Sequence, residues 1–334
     1  MITDARVLQA DFTPRDVRHR DSEVDALTTV LDPLVQGDYA DPAILYGPSG
    51  AGKTCIANYT VEQLRQAVLD VDYQYVNCWQ NYSGYRTLYR ILEGLGKTVD
   101  VHRRSTPLDE LLERLQNYDG PPVVVILDEA DQLEHQQTLY HLNNLPKFAI
   151  VLIANDEADI LSGADDRVRS RFVGAERIKF SRYSMAELVG ILEDRVRWGF
   201  QPDVVTESTL EHIADKAAGD ARAAISMLRS AARHGTEEGL EQITPDLVDD
   251  TESDAREEVH RKNVDTLTPH QRALYDCLQV NGEMEPAELY QAYRERVEDP
   301  RADRTIRDYL LKLARYDLIR VEGTSRDRRY GPVE

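Results

Sequence analysis

The sequence predicts an α/β fold: a parallel sheet covered on both faces by helices, followed by an all-helical segment and a small C-terminal unit. Three observations carry this. Strand-like segments at 43–46, 73–77, 123–127 and 148–154, with a fifth short one at 177–180, alternate with helix-length stretches. The segment 123–127 is continuously apolar and rich in β-branched residues, as a strand buried on both faces should be. From residue 184 onward the pattern turns helical.

Taken in order, the first strand runs into a glycine-rich turn and then into a helical pattern that lasts to about residue 70. Residues 84–117 read as helices broken near 100–106, with Pro107 as a first-turn proline of the second. Helical periodicity then covers 184–197, 206–217, 220–234 and 244–262, with a linker or kink at 263–268. Beyond it come helices near 269–280, 285–297 and 303–316, and strand-like pieces at 318–321 and 329–330. Three short helices followed by a small hairpin match a winged helix. The expected division is a base at 12–182, a helical segment at 183–262 and the winged helix at 263–334.

The chain has 334 residues, enough for two or three compact units. Its 60 acidic and 40 basic residues give a formal charge of -20, and the basic set is 33 arginines against 7 lysines. An acidic, lysine-poor surface is the composition of a protein from a salt-loving organism. Taken alone, that charge argues against nucleic-acid binding. In molar salt the Debye length is about 3 Å, so global repulsion fades and local basic patches still count. Residues 301–334 are such a patch, with nine Arg or Lys against six Asp or Glu, a local balance of +3. The start of the chain lacks the basic and apolar stretches of a signal peptide, and no apolar run approaches membrane-spanning length, so a cytoplasmic, nucleoid-associated location without membrane contact is expected. The three cysteines, Cys55, Cys78 and Cys277, show no metal-ligand spacing and read as small buried thiols.

Gly47, Pro48, Ser49, Gly50, Ala51, Gly52, Lys53 and Thr54 fit G-x-x-x-x-G-K-[ST] between a strand and a helix, the context a phosphate-binding P-loop requires. Its backbone N–H groups cradle phosphate oxygens, Lys53 reaches the β and γ phosphates, and Thr54 ligates Mg²⁺. Asp128 and Glu129 close the strand 123–127. Asp128 suits the magnesium ion, and Glu129 is placed to activate an attacking water. Asn155 ends the next strand, where its amide either orients water near the γ phosphate or shares an ordinary Asx turn with Asp156. In 166–172 three arginines alternate, and one of them suits an arginine finger acting on a neighbouring subunit. Arg222 opens a later helix and can fold back to sense the γ phosphate, while Asp220 can cap that helix.

Together these residues resemble the AAA+ ATPases, and among them the archaeal Orc1/Cdc6 replication initiators. The resemblance rests on His19-Arg20-Asp21-Ser22-Glu23, the P-loop, Val76-Asn77-Cys78 with Tyr85-Arg86, and Leu127 to Asp131. It continues through Ala154-Asn155-Asp156, Arg167 to Phe172, Gly219 to Ala224 and the C-terminal winged helix. It spans roughly residues 12–330. It implies ATP or ADP and Mg²⁺ as cofactors, Asn155 as sensor 1, Arg222 as sensor 2, and Arg167 as the finger with Arg171 as its rival. It also implies double-stranded origin DNA, the MCM helicase and other Orc1/Cdc6 subunits as partners. Within 303–316, Arg304 and Arg307 share one helical face, and Thr305 can reach phosphate or a base edge. Arg326, Arg328 and Arg329 lie where the wing turns. The chain is short for the family, and the segment between Tyr85 and Leu115, where members carry an additional DNA-touching helix, is compact. The competing reading is another AAA+ loader or a signalling ATPase whose winged helix makes protein contacts.

Overall fold

The computed structural model describes residues 1–334 except 10, 11, 69, 100, 103–105, 162, 163, 324–326 and 334. Two compact units form, Met1–Glu252 and Ser253–Glu334.

In the first unit, β1 (Ala43–Tyr46), β2 (Asp72–Asn77), β3 (Val123–Asp128), β4 (Phe148–Ala154) and β5 (Glu176–Lys179) form a sheet ordered β2-β3-β4-β1-β5. Every pairing in it is parallel. Tyr46 lies opposite Ala154, and Leu127 opposite Leu152. The carboxyl ends of β1, β4 and β3 therefore stand side by side, the edge where an open α/β sheet binds ligands.

Alternation along the strands sorts the core. Val123, Val125, Leu127, Ile150 and Leu152 pack on one face with Leu88, Ile91, Leu111 and Leu115 of helices Gly84–Gly94 and Leu108–Gln116. Val124, Ile126, Val151 and Ile153 pack on the other with Leu27 and Leu31 of Asp21–Val35 and Ile56 and Val61 of Lys53–Ala67. Both faces are dry, which explains why β3 is apolar without interruption. Pro107 sits at the cap of Leu108–Gln116, one residue outside the expected first turn.

The helical part is Met185–Gly199, Glu207–Ala217, Ala221–Glu237 and Pro245–Asp250. Its helices begin one residue after Ser184, Thr206, Asp220 and Thr244, because those side chains cap them from outside. The single helix expected over 244–262 is two. Thr251 ends the first, its hydroxyl donating back to the Leu247 carbonyl at 2.8 Å. The second, Glu252–Asp265, runs into the expected linker.

The first nine residues, left outside the expected base, dock on this helical part. Thr3 and Asp4 donate to the Gly199 carbonyl at 2.8 and 3.2 Å. Arg195, buried, donates to the Val7 carbonyl at 2.6 Å and lies 4.6 Å from the Phe12 ring centroid.

The second unit contains helices Pro269–Asn281, Pro286–Arg296 and Asp303–Arg315 and an antiparallel hairpin of β6 (Ile319–Glu322) and β7 (Arg329–Pro332), a winged helix. Leu274, Leu278, Leu289, Tyr293, Ile306, Leu310, Leu313 and Tyr330 are buried within it. Thr268 and Gln271 close a capping box on its first helix.

Replacing Arg195 by Met keeps the apolar stem but removes the donor to Val7. The variant is expected to lose about 1.5–3 kcal/mol in urea unfolding and to be clipped faster within its first nine residues by limited proteolysis. Unchanged clipping would show that Arg195 does not fasten this segment.

Candidate functional site

The P-loop leaves β1 and turns straight into helix Lys53–Ala67. Gly50 has φ +71°, and a Cβ there would stand 2.0 Å from Asp220 Oδ1. Gly52 has φ +92°, and its Cβ would stand 2.3 Å from the Tyr183 hydroxyl. Both turns exclude a side chain. Both neighbours belong to the helical part or its entrance, so the loop is closed in by that part. The Ala221 N–H also donates to the Gly50 carbonyl at 3.1 Å.

Lys53 is 8% exposed. Its ammonium donates to the carbonyls of Gly47 at 2.6 Å and Pro48 at 2.8 Å, and to Asn155 Oδ1 at 3.2 Å. Burial pushes its pKa down to about 8, against the pull of the Glu129 and Asp128 charges, and the Arg222 charge adds to the lowering. A cation held by neutral oxygens in a glycine cradle fits an anionic polyphosphate.

Asp128 is buried at the end of β3. Its Oδ2 accepts from the Thr54 hydroxyl at 2.8 Å and from the Tyr75 hydroxyl at 2.8 Å, and its Oδ1 accepts from the Glu129 N–H at 2.9 Å. Burial, and after it the Glu129 charge, push its pKa up, while the two hydroxyls and Lys53 pull it back. Among the described residues no three His, Cys, Asp or Glu converge as a metal cage. One carboxylate beside one hydroxyl is instead the partial oxygen set of a hydrated divalent cation that takes its other ligands from phosphate and water.

Glu129 sits at φ 56°, ψ 44°, a left-handed conformation that costs a non-glycine residue about 1 kcal/mol or more. It turns the chain sharply at the sheet edge and leaves its side chain half-buried beside Lys53 and Asp128. Asn155 and Asp156 divide the two roles open in the sequence. Asp156 caps the short helix Glu157–Ile160 through the Ala158 N–H, and Asn155 faces Lys53. Asp220 likewise caps Ala221–Glu237 by accepting from the Ala223 N–H at 2.9 Å, which leaves Arg222 exposed on the first turn above the P-loop.

The alternating arginines lie on helix Asp166–Arg171. Arg169 donates to the Ala164 carbonyl, and Arg171 stands 5.8 Å from the Tyr140 ring centroid. Arg167 is exposed and makes no side-chain hydrogen bond or ion pair among the described residues.

Residues 36–161 match the family model of the AAA domain, and residues 189–253 match that of the Cdc6 AAA+ ATPase-type lid domain. The chain is 51% identical over 334 residues to ORC1-type DNA replication protein 9 of Halobacterium salinarum, covering 100% of this chain and 94% of that protein. It is 51% identical over 308 residues to ORC1-type DNA replication protein 1 of the same organism, covering 92% and 100%. The chain belongs to the Orc1/Cdc6 family of replication initiators. The structure of the Aeropyrum pernix ORC1 protein in complex with DNA matches it with a TM-score of 0.78 at 25% identity, covering 99% of this chain and 93% of that one. The AAA+ base, the lid and the winged helix are thus the Orc1/Cdc6 layout, and the base is a nucleotide-binding fold.

Three residues join this Orc1/Cdc6 site that sequence reasoning had not assigned. Arg20 is buried, pairs with Glu23 at 2.8 Å, donates to the carbonyls of Ala51 at 3.2 Å and Ser181 at 2.6 Å, and lies 4.2 Å from the Tyr183 ring centroid. It ties the P-loop to the entrance of the lid. The second is Tyr183, which closes over Gly52. The third, Tyr75, reaches Asp128 from the neighbouring strand, and burial and then Asp128 raise its pKa. Arg20 had a signal in the 19–23 motif. The tyrosines had none, since their partners lie on other strands and loops.

In the winged helix, Arg304 and Arg307 are exposed and Thr305 is half-buried on Asp303–Arg315. Arg329 donates to Glu283 at 3.3 Å and to Glu285 at 3.2 Å, so its charge is shared with two carboxylates. Arg328 is half-buried, and Arg326 lies outside the described residues. Between helices Gly84–Gly94 and Leu108–Gln116 the described residues form no further helix.

The Lys53 pKa has a sign that can be checked. Below pH 8 the ammonium is charged in folded and unfolded chains alike, and the folded chain bears the full burial cost. Between pH 8 and the ordinary value of 10.5, only the unfolded chain keeps its proton and the cost fades. Lys53→Met is therefore expected to stabilise the ligand-free protein by up to about 3 kcal/mol at pH 7, with the gap closing toward pH 10.5 in urea titrations. A wild type equally stable at pH 7 would contradict this.

Proposed function

We propose that this Orc1/Cdc6 protein is an ATP-switched initiator that binds double-stranded origin DNA and helps recruit or load the MCM helicase. One observation carries the switch: the lid helix Ala221–Glu237 begins on the P-loop itself, through the Ala221-to-Gly50 hydrogen bond, with Arg222 felt electrostatically at Lys53. A change of charge at the phosphates is thereby a change at the lid. The working division is a base at 12–182, a lid at 183–262 and a DNA-binding winged helix at 263–334.

Bound Mg²⁺ and ATP supply the reactive phosphoryl group and the neutralisation of its charge. Gly47 to Thr54 hold the phosphates, with Lys53 released from the carbonyls of Gly47 and Pro48 toward the β and γ positions. The Thr54 hydroxyl and the Asp128 carboxylate, 2.8 Å apart, would hold the cation. Glu129 takes the proton of the attacking water at a carboxylate oxygen, and Asn155 orients that water. Arg222 reads the γ phosphate from the lid of the same chain. Arg167, the arginine of its helix whose side chain has no hydrogen-bond, ion-pair or ring partner among the described residues, serves as the finger toward a neighbouring subunit and is preferred over Arg171. A site this crowded by lid contacts suits slow turnover.

The Aeropyrum relative bound to DNA, the exposed Arg304 and Arg307, and the positive balance of residues 301–334 support DNA as the second partner. The ORC1-type names of the halobacterial relatives support replication as the setting.

Glu129→Gln is expected to keep nucleotide binding and to lower hydrolysis by about a hundredfold or more, measured as phosphate release. Unaffected turnover would remove Glu129 from the water-activating role. In genome-wide mapping of bound DNA, the wild type should occupy discrete sites beside replication starts, and the Arg304→Ala, Arg307→Ala double variant should lose them. Diffuse occupancy by the wild type would sink the initiator reading.

A further inference from the structure

The helix Asp303–Arg315 is sharply two-faced. Ile306, Leu310 and Leu313 are fully buried beneath it. Its solvent side carries a stripe of Arg304, Arg307, Asp308, Leu311 and Arg315, spaced so that all share one face. Leu311 is 46% exposed in the middle of that stripe and takes no part in the core of its unit. The arginines around it differ. Arg304 makes no hydrogen bond or ion pair among the described residues. Arg307 is exposed and lies near the hydroxyl of Tyr290, a buried residue of helix Pro286–Arg296, whose pKa burial raises and the guanidinium pulls back. That neighbour leaves most of the guanidinium's five donors open. Asp308 and Arg315 each engage a partner of their own. An ion pair between Arg294 and Asp303 fixes the start of the helix.

The stripe therefore combines two exposed guanidinium groups and one exposed apolar side chain four residues beyond Arg307. The cations and the local balance of +3 select a polyanion as the occupant. A leucine has nothing to offer phosphate. In the major groove, the apolar group available to it is the C5-methyl of thymine, and the pairing that suits an arginine is the O6 and N7 of guanine. Four residues along a helix rise about 6 Å, and base pairs are spaced about 3.4 Å apart, so the two contacts fall about two base pairs apart.

Resting on the DNA-binding reading above, we infer that Arg307 and Leu311 form a base reader, with Arg307 on a guanine and Leu311 on a thymine methyl about two base pairs away. Tyr290 is the positioning residue for Arg307, and Arg304, free to follow the backbone, takes a phosphate.

The test uses the full chain with ATP and duplexes enriched from a random-sequence pool, in which single guanines are then replaced by 7-deazaguanine and single thymines by uracil. At one thymine, loss of the methyl should weaken binding about fourfold. At a guanine about two base pairs away, loss of N7 should weaken it about tenfold. Leu311→Ala should abolish the uracil effect alone. Arg307→Ala should abolish the 7-deazaguanine effect, and Tyr290→Phe should reduce it. Binding indifferent to every uracil, or a uracil effect that persists in Leu311→Ala, overturns the inference while leaving DNA binding intact. Failure to enrich any duplex would instead strike the DNA-binding reading itself. The nucleotide substitutions need no protein variant, so a folding defect cannot mask the result.

Discussion

A buried positive charge organises the first unit. Lys53 has lost most of its water, and the partners that replace it are two backbone carbonyls and the Asn155 amide oxygen. Neutral oxygens compensate an ammonium only in part, which is why its pKa falls to about 8. The surrounding construction follows from that debt. The glycines keep space for an anion, the sheet edge brings Asp128 and Glu129 within electrostatic reach, and Arg222 approaches from the lid although it opposes the charge already there. Two cations within electrostatic reach of each other, without a carboxylate bonded to Lys53, suit a strongly anionic ligand.

The same site shows how base and lid share one device. Asp220 caps the lid helix and crowds Gly50, and the first free N–H of that helix finds the Gly50 carbonyl. Arg20 crosses behind the loop, joining Ala51 to Ser181 and lying against the rings of Phe180 and Tyr183. These contacts are short-ranged and packed, and they join the P-loop directly to the lid. The docking of residues 1–9 on the lid helices adds a further tie between the chain start and this region.

Charge in the second unit is distributed with a purpose that its sum conceals. Arg320 and Arg329, on the hairpin, are drawn into pairs with Glu283, Glu285 and Glu322. Arg304 and Arg307 escape such pairing on the solvent face of Asp303–Arg315. In a chain of net charge -20, arginines that stay outside ion pairs stand out from the abundant carboxylates, which is why the proposed DNA contacts were placed on them.

The five strands, the P-loop, the acids that end β3, the Asp220 cap and the winged helix were all legible in the sequence. Each rests on local rules: apolar runs, glycines at fixed spacing, and cap residues at helix starts. Some local readings were off by a little, as where Thr251 splits one expected helix in two through a back-bonded hydroxyl. What the sequence could not contain were the contacts made across the fold. Tyr75 reaching Asp128, Tyr183 over Gly52, Arg20 behind the loop and the first residues docking on the lid all depend on which elements become neighbours, and strand order β2-β3-β4-β1-β5 is set by packing. Likewise, the residue pattern placed three arginines together at 167–171 and several more near the C-terminus, and only the family resemblance preferred Arg167, with Arg171 as its rival. Only the tertiary structure separated the partnered from the open ones, because a side chain's freedom is decided by neighbours far away in the chain. By itself the sequence determined that a nucleotide site and a winged helix exist. The fold decided that the nucleotide site is built into the hinge between base and lid.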